Sequence, residues 1–593
     1  MRLYHNLSLG VGYDIMNAAT LAFLALILTF LLRTRRQCFS QGIIVFIYLF
    51  FVFTDYIYIN QFGTHLPFST IEYLGEVSSF TSTIGVSLMD KSFLLLFVVP
   101  LAIFIFVGRR VERKKTQNTP LSFLTAGVTL VFLLVIGGLT GSYANSYVSK
   151  NINDPLTSSG LFYFYSSRNI EKEVNIEKPI QELQFIADVL SGVIPSAPKY
   201  NDFPLVRTHI PTTCKLIAEQ NDIGKALCGI KKPNILFLML ESFRSSDIGI
   251  YGSELKLTPN FDRLSQQGVF FNNFYANGFQ TRHGQVASYC SIMPNYGAPV
   301  MKRYADNSYF CLPEILKKQG YNTSWVNGSD AAFDGQINFL PKIGIDTLYD
   351  KFSFESNSET LGWGFSDEVM FAKWKSVLDQ LNEPFFSTAL TTTNHHPFDV
   401  PEAYKLYKNA DDAEKYHEAM HYTDAMLGKF IKQIRSEPWY DNTLVFIYAD
   451  TSNYQQPQKT PSNFEDFIKL RSQIPLLILG GQIKKNIVVD DYYSQIDFAP
   501  TIMDLMGIEY TAPWMGVSML TTKQKAIAYT NRPGNYWAVM SQDGRYYREA
   551  NQKDYFYGFN DKQREEQYRR LGISWIKSTQ WLLQNNKHWS DSF

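Results

Sequence analysis

Four apolar stretches, Met16 to Leu32, Gly42 to Ile59, Phe93 to Val107 and Leu121 to Leu139, crowd into the first quarter of this 593-residue chain. Each is near the ~20 residues a helix needs to cross a bilayer, the third being the shortest. The chain is too long for one ordinary domain, so this asymmetry predicts a membrane part followed by a water-soluble part. The first stretch does not read as a secretion signal. Arg33, Arg35 and Arg36 follow it instead of preceding it, and no small-residue cleavage site appears.

Basic residues give the orientation. Those three arginines follow the first stretch, and Arg109, Arg110, Arg113, Lys114 and Lys115 follow the third, which makes both loops cytoplasmic. The segment between the second and third stretches carries only Lys91, so it lies outside, with the N-terminus and everything after Leu139. The chain holds 55 Lys and Arg against 55 Asp and Glu, and its soluble part has no basic stripe that could track a phosphate backbone. A nucleic-acid partner is excluded on that ground. Of five cysteines, Cys38 falls in a cytoplasmic loop, while Cys214, Cys228, Cys290 and Cys311 form an even set where disulfides persist. Proximity favours pairing Cys214 with Cys228 and Cys290 with Cys311; four buried free thiols remain the alternative.

The expected organisation is a transmembrane domain of about four helices over 1–141, a juxtamembrane connector over 142–230, a catalytic domain over 231–530 and a C-terminal extension over 531–593. In the connector Pro179, Pro195, Pro198 and Pro204 interrupt weak helical patterns such as Ile180 to Leu190. From Asn234 the texture changes to short apolar runs separated by helical stretches: Ile235 to Leu240, Val269 to Phe274, Asn322 to Val326, Phe385 to Leu390, Leu444 to Tyr448 and Ile474 to Leu479. Alternating strands and helices predict an α/β domain with a central, mostly parallel sheet covered on both faces. Functional residues in such sheets gather at the carboxyl ends of strands. That singles out Glu241, the segment after Phe274, Asn394 to Phe398, and Asp450. Beyond Thr530 the chain is rich in Tyr, Arg, Lys and Gln and ends in a helical pattern over Lys562 to Gln584.

Glu241 directly follows the apolar run Asn234-Ile235-Leu236-Phe237-Leu238-Met239-Leu240, a natural position for a metal ligand. Then come Thr258-Pro259-Asn260-Phe261-Asp262-Arg263-Leu264, Gly268-Val269-Phe270-Phe271-Asn272-Asn273-Phe274-Tyr275 and Gln280-Thr281-Arg282-His283-Gly284. Further on stand Gly328-Ser329-Asp330-Ala331-Ala332-Phe333-Asp334, Asn394-His395-His396-Pro397-Phe398 and Ser494-Gln495-Ile496-Asp497. In this order the stretches resemble the alkaline phosphatase and sulfatase superfamily, and within it the membrane-anchored branch of lipoteichoic acid synthases and of phosphoglycerol and phosphoethanolamine transferases. The resemblance runs from about Asn234 to Leu520. That branch usually has five spans where this chain shows four, and Gly12-Tyr13-Asp14 resembles the branch's stretch before its second span.

The resemblance implies a nucleophile at Thr281 and metal ligation by Glu241, Thr281 and Asp450. It implies transfer of a phosphoglycerol or phosphoethanolamine headgroup from a membrane phospholipid to an extracytoplasmic glycan, such as a lipopolysaccharide, membrane glucan or teichoic acid-like acceptor, through a phosphothreonine. A Thr hydroxyl attacks phosphorus only when a metal or base lowers its pKa, so the chemistry requires a cation there. The implied setting is a multi-pass protein of the bacterial inner membrane with its catalytic domain outside. His395 matches the substrate-binding His of the branch, with His396, Asp330 and Trp363 as further candidates. The Trp and Arg that Gram-positive synthases place near the phosphoglycerol align with Phe333 and Gly335, which removes a bidentate phosphate clamp. His417 and His421 share a helix face at i, i+4, but no Glu completes a His-Glu-x-x-His motif, and they read as a surface pair.

One departure is sharp. The branch carries Asp-His-Gly where this chain has Asp450-Thr451-Ser452, and that His is normally a metal ligand. With Thr451 in its place the donor set is all oxygen, which favours one manganese or magnesium ion over zinc, although zinc stays possible. The alternative from another class is a catalytically impaired relative that binds a glycan or lipid, or partners another cell-envelope enzyme. A true sulfatase is disfavoured, because Thr281-Arg282-His283-Gly284-Gln285 lacks a Cys or Ser in Cys/Ser-x-Pro-x-Arg.

Overall fold

Seven consecutive residues with no charge, Asn234–Leu240, form a strand in which every side chain is buried, as expected of a parallel strand covered on both faces. In the computed structural model this strand, β1, is central to an eight-stranded sheet. The others are β2 (Val269–Tyr275), β3 (Asn322–Asn327), β4 (Thr347–Tyr349), β5 (Phe385–Leu390), β6 (Thr443–Ala449), β7 (Leu476–Gly480) and β8 (Ile487–Ser494). Their order is β8-β2-β7-β6-β1-β5-β3-β4. Only β7 runs against its neighbours β2 and β6, so the sheet is mixed. Phe237 of β1 packs its ring against those of Phe386, Phe446, Tyr448 and Phe498 at centroid distances of 5.2, 5.2, 5.7 and 5.3 Å. The structure describes residues 178–191, 199–200, 202–211, 222–227, 232–294, 300–453, 461–483, 485–520, 527–532, 536–549, 553–590 and 592–593, with scattered residues between 46 and 102.

Seven helices matter below: α1 (Ile180–Ser191), α2 (Thr281–Cys290), α3 (Asp367–Leu378), α4 (Asp412–Ile434), α5 (Phe464–Ser472), α6 (Phe498–Met506) and α7 (Lys562–Gln584). The last has the range its pattern predicts. The chain divides into two compact units, Met1–Lys172 and Glu173–Phe593. Among the described residues no helix is long and apolar enough to cross a membrane; the four apolar stretches fall almost wholly outside them.

Two parts differ from the sequence reading. Part of the expected connector is integrated into the second unit: α1 buries Leu183, Ile186 and Ala187 and packs on α7, where Lys577 pairs with Glu182 at 2.7 Å and Arg570 lies 4.2 Å over the Phe185 ring. The strand Arg207–His209 pairs antiparallel with Tyr510–Ala512. Pro179 directly precedes α1 and Pro204 precedes the strand, neither preventing burial of the element that follows; Pro195 and Pro198 lie outside the described residues. Secondly, Ala528–Arg532, Tyr536–Ser541, Gly544–Glu549 and Asp554–Tyr557 form a separate antiparallel sheet. A signal was available in Gln542-Asp543-Gly544, where the two turn residues Gln542 and Asp543 lead into a glycine that opens the next strand, between alternating runs.

Cys290, the last residue of α2, forms a disulfide with Cys311. Cys38, Cys214 and Cys228 lie outside the described residues.

Candidate active site

Strand register brings the site together. Leu240 of β1 pairs with Ala449 of β6, and Met239 pairs with Leu390 of β5. The residues that follow each strand, Glu241, Asp450 and Thr391 to His396, therefore emerge side by side at the carboxyl edge. Thr281 arrives from the other direction as the first residue of α2. Its hydroxyl donates to Asp450 Oδ2 at 2.7 Å and lies 3.4 Å from Glu241 Oε2. Glu241 is 6% exposed and Asp450 is fully buried.

Two buried carboxylates against one hydroxyl disfavour their charged forms. Burial pushes Glu241 up to about 7, and burial followed by the Glu241 charge holds Asp450 well above the usual carboxylate range. A cation would reverse both effects. Three oxygen donors on three separate elements suit a hard divalent ion. Among the described residues no group of three or more His, Cys, Asp or Glu converges, so the nitrogen- and sulfur-rich set of a structural zinc site is not what this corner offers.

The backbone here is held in a costly conformation. Ser242 has φ 50°, in the left-handed region that non-glycine residues avoid. Its N–H donates to Asp450 Oδ1 at 2.7 Å, its hydroxyl to Glu241 Oε1 at 2.9 Å, and its carbonyl accepts from Tyr416 Oη at 3.2 Å. Asn394 Nδ2 donates to the Glu241 carbonyl at 3.0 Å. Beneath the turn, Arg244 and Asp247 form a buried ion pair at 2.7 Å, and the guanidinium lies 5.3 Å over the Tyr416 ring.

The α2 start is fixed as firmly. Gln495 accepts from Asn277 N at 3.1 Å and donates to the carbonyls of Ala449 and Asp450 at 3.1 and 2.8 Å. A Cβ on Gly284 would lie 2.6 Å from the Asp450 carbonyl oxygen, so only glycine lets α2 approach β6 this closely. Asp367, at the start of α3, accepts from the amides of Thr392 and Thr393 at 2.8 and 3.0 Å and from Thr423 Oγ1 at 2.6 Å. It shapes the loop that carries His395.

Thr451, the departure from the expected His, donates its hydroxyl to the Ser452 carbonyl at 3.1 Å, while its amide donates to Asp450 Oδ1 at 2.7 Å. Its backbone supports Asp450; its side chain is committed elsewhere. His395 stacks on Trp363 at 4.1 Å and faces the His396 carbonyl through Nδ1 at 3.0 Å. A carbonyl only accepts, so Nδ1 carries the hydrogen and Nε2 is the acceptor. Burial lowers the His395 pKa, against the charges of Asp450 and Asp334, and keeps the ring neutral. His396 is 8% exposed, packs edge-on against Phe398, and is lowered to about 4 by burial. Phe333 meets Trp363 edge-on at 5.2 Å. Asp330 is committed to Lys351 at 2.9 Å.

The surface reading of His417 and His421 is corrected. His417 is 8% exposed beneath Tyr407 and Tyr416, and His421 Nδ1 is held by the Leu257 carbonyl at 2.9 Å. Helical spacing gave their shared face but not which side α4 buries. Gly284, Asn394 and Gln495 sat inside quoted motifs in which sequence left their own roles open; Arg244 and Tyr416 had no distinguishing signal.

A carboxylate at the end of a central strand, a second on the adjacent strand and a hydroxyl at a helix N-terminus define an alkaline phosphatase-like α/β domain. Two solved structures share this fold: a protein in the alkaline phosphatase superfamily from Vibrio parahaemolyticus (TM-score 0.59, 22% identity, 71% of this chain and 100% of that one) and the lipoteichoic acid synthase LtaP from Listeria monocytogenes (TM-score 0.52, 20% identity, 63% and 99%). Residues 233–508 match the sulfatase family model, and the chain carries a sulfatase-family domain. Over 548 residues it is 25% identical to the lipoteichoic acid synthase of Staphylococcus aureus strain bovine RF122 / ET3-1, covering 85% of this chain and 79% of that protein. The resemblance to the lipoteichoic acid synthase-like branch of the superfamily thus extends well beyond the sulfatase domain.

Proposed function

We propose that this protein is a membrane-bound enzyme that transfers a phospho-alcohol headgroup, phosphoglycerol or phosphoethanolamine, from a phospholipid to a glycan hydroxyl outside the cytoplasm. The observation that carries this reading is the Thr281 hydroxyl, 2.7 Å from Asp450 and 3.4 Å from Glu241 at the start of α2. Similarity to lipoteichoic acid synthases over most of the chain supports the class of reaction.

Thr281 Oγ attacks the headgroup phosphorus as its proton passes to Asp450. The bond from phosphorus to the glyceride oxygen breaks, and diacylglycerol leaves with the proton handed on by Asp450. The glycan hydroxyl then attacks the phosphothreonine, and its proton passes by way of His395 Nε2 to the Thr281 oxygen as the bond from phosphorus to Thr281 breaks, so both side chains end as they began. The N-terminus of α2 faces the phosphoryl group with its positive end. Glu241, Asp450 and the Thr281 oxygen would hold one divalent cation, manganese or magnesium by their oxygen character, which lowers the hydroxyl pKa and offsets charge on the phosphoryl group. Membrane tethering raises the effective concentration of a lipid donor.

Mass spectrometry of the surface glycan from cells with the wild-type chain or Thr281→Ala tests the reading. The wild type adds a phosphoglycerol or phosphoethanolamine mass, which also identifies the headgroup, and the variant adds none while folding normally. An unchanged added mass in the variant removes Thr281 as nucleophile. No added mass from the wild type favours a silent binding protein, in keeping with a Thr451 side chain turned toward Ser452.

A further inference from the structure

Arg207 is 2% exposed, yet its Nε, Nη1 and Nη2 are all buried without a hydrogen-bond partner. Two residues on, His209 bonds Asp504 through Nε2 at 2.6 Å, and its Nδ1 is likewise buried and unpartnered. In the strand Arg207–His209, paired to Tyr510–Ala512, alternate residues share a face, so both orphaned groups lie on one side. Thr208, on the other side, meets Thr511 Oγ1 at 2.9 Å. The acid whose charge reaches Arg207 is Asp188, an exposed side chain that already accepts from Gln184 at 2.8 Å. A buried guanidinium without a counter-ion is among the costliest arrangements a fold can hold.

We propose that Arg207 and His209 form a binding site for a phosphate group. The guanidinium fork donates to two of its oxygens, the geometry in which Arg binds phosphate best. Because the Asp504 carboxylate accepts from His209 Nε2, Nδ1 is left to accept from a P–OH group, or to donate to a phosphate oxygen when the ring carries a second proton. His209 keeps 12% of its side chain exposed and is the open end of the site. The site is separate from the carboxylate corner. Tyr321 Oη donates to the Pro233 carbonyl at 2.9 Å and reaches Met506 Sδ at 3.8 Å, which sets the end of α6, carrying Asp504, beside the start of β1, whereas Glu241 lies beyond its other end. A free phosphate and a lipid headgroup offer the same oxygens.

Thermal unfolding of the full chain in neutral detergent, at fixed ionic strength, tests this with inorganic phosphate in exchange for chloride. In parallel, sedimentation with phosphatidylglycerol vesicles is compared with phosphatidylcholine vesicles after Thr281→Ala removes turnover. The unfolding midpoint of the wild type should rise with the logarithm of phosphate concentration. Arg207→Met should abolish that rise without lowering the midpoint in chloride, because it removes an unpaired buried charge. Arg207→Lys, which keeps the charge and loses the fork, should weaken phosphate binding roughly tenfold or more and supplies the answer if the Met variant does not fold. Binding to phosphatidylglycerol vesicles that depends on Arg207, without a response to inorganic phosphate, assigns the site to a lipid headgroup. The proposal is overturned if neither phosphate source gives an Arg207-dependent response, or if phosphate stabilises the wild type and both variants equally.

Discussion

β1 has contrasting environments near its two ends. Beyond its carboxyl end two carboxylates are buried against a hydroxyl; near its start a guanidinium is buried without a hydrogen-bond partner. The acidic corner is assembled from several segments whose positions are fixed by strand register and by a strained residue, Ser242. The basic face belongs to a single three-residue strand. Charge imbalance of either sign favours a ligand of the opposite charge, but only the corner fixes its groups from several segments at once, as the proposed chemistry requires.

The largest test of that contrast is Asp450→Asn. It should lower turnover about 10³-fold or more while leaving the metal-free protein at least as stable, since one of two crowded carboxylates becomes neutral; a stopped assay with a melting curve reads both. Next, Gly284→Ala should cost roughly 1–3 kcal/mol and also slow turnover, because the new Cβ pushes α2 from β6; retained activity would show that the corner tolerates movement. Thirdly, manganese or magnesium should raise the melting temperature of the wild type and leave that of Asp450→Asn almost unchanged. The smallest effect at neutral pH concerns a buried group that avoids the problem by being neutral. His588 is 1% exposed, beside the Tyr309 ring at 5.9 Å, and burial alone lowers its pKa from 6.5 to about 3. The unfolded chain then binds the extra proton, so stability present above pH ~6.5 falls by about 1.4 kcal/mol per unit as pH drops toward ~3. Denaturant titrations should show His588→Leu flattening that slope.

Sequence revealed the acidic corner because strand ends are visible as apolar runs followed by a carboxylate, as at Glu241 and Asp450. It revealed Thr281 by motif order. It did not reveal the supports, because Gln495 reaches Asp450, Tyr416 reaches Ser242 and Arg244 lies over the Tyr416 ring across tens to hundreds of residues that no local pattern encodes. The antiparallel course of β7 was hidden for a similar reason: Leu476 to Leu479 reads as a buried strand in either direction. Arg207 was missed because a lone Arg in a proline-interrupted stretch carries no periodic signal; its burial exists only after Tyr510–Ala512 pairs beside it.

Asn277 binds in three directions: its amide to Gln495, its Oδ1 to the Ile496 amide at 3.0 Å, and its Nδ2 to the Tyr529 carbonyl at 2.9 Å in the first strand of the C-terminal sheet. The loop that delivers Thr281 is thereby fastened to chain lying beyond residue 508, where the match to the sulfatase family ends. Trimming the protein to its family domain would not isolate a smaller catalyst. It would cut the mooring of Thr281, the proposed nucleophile, and a fragment that keeps the corner intact must extend through that sheet.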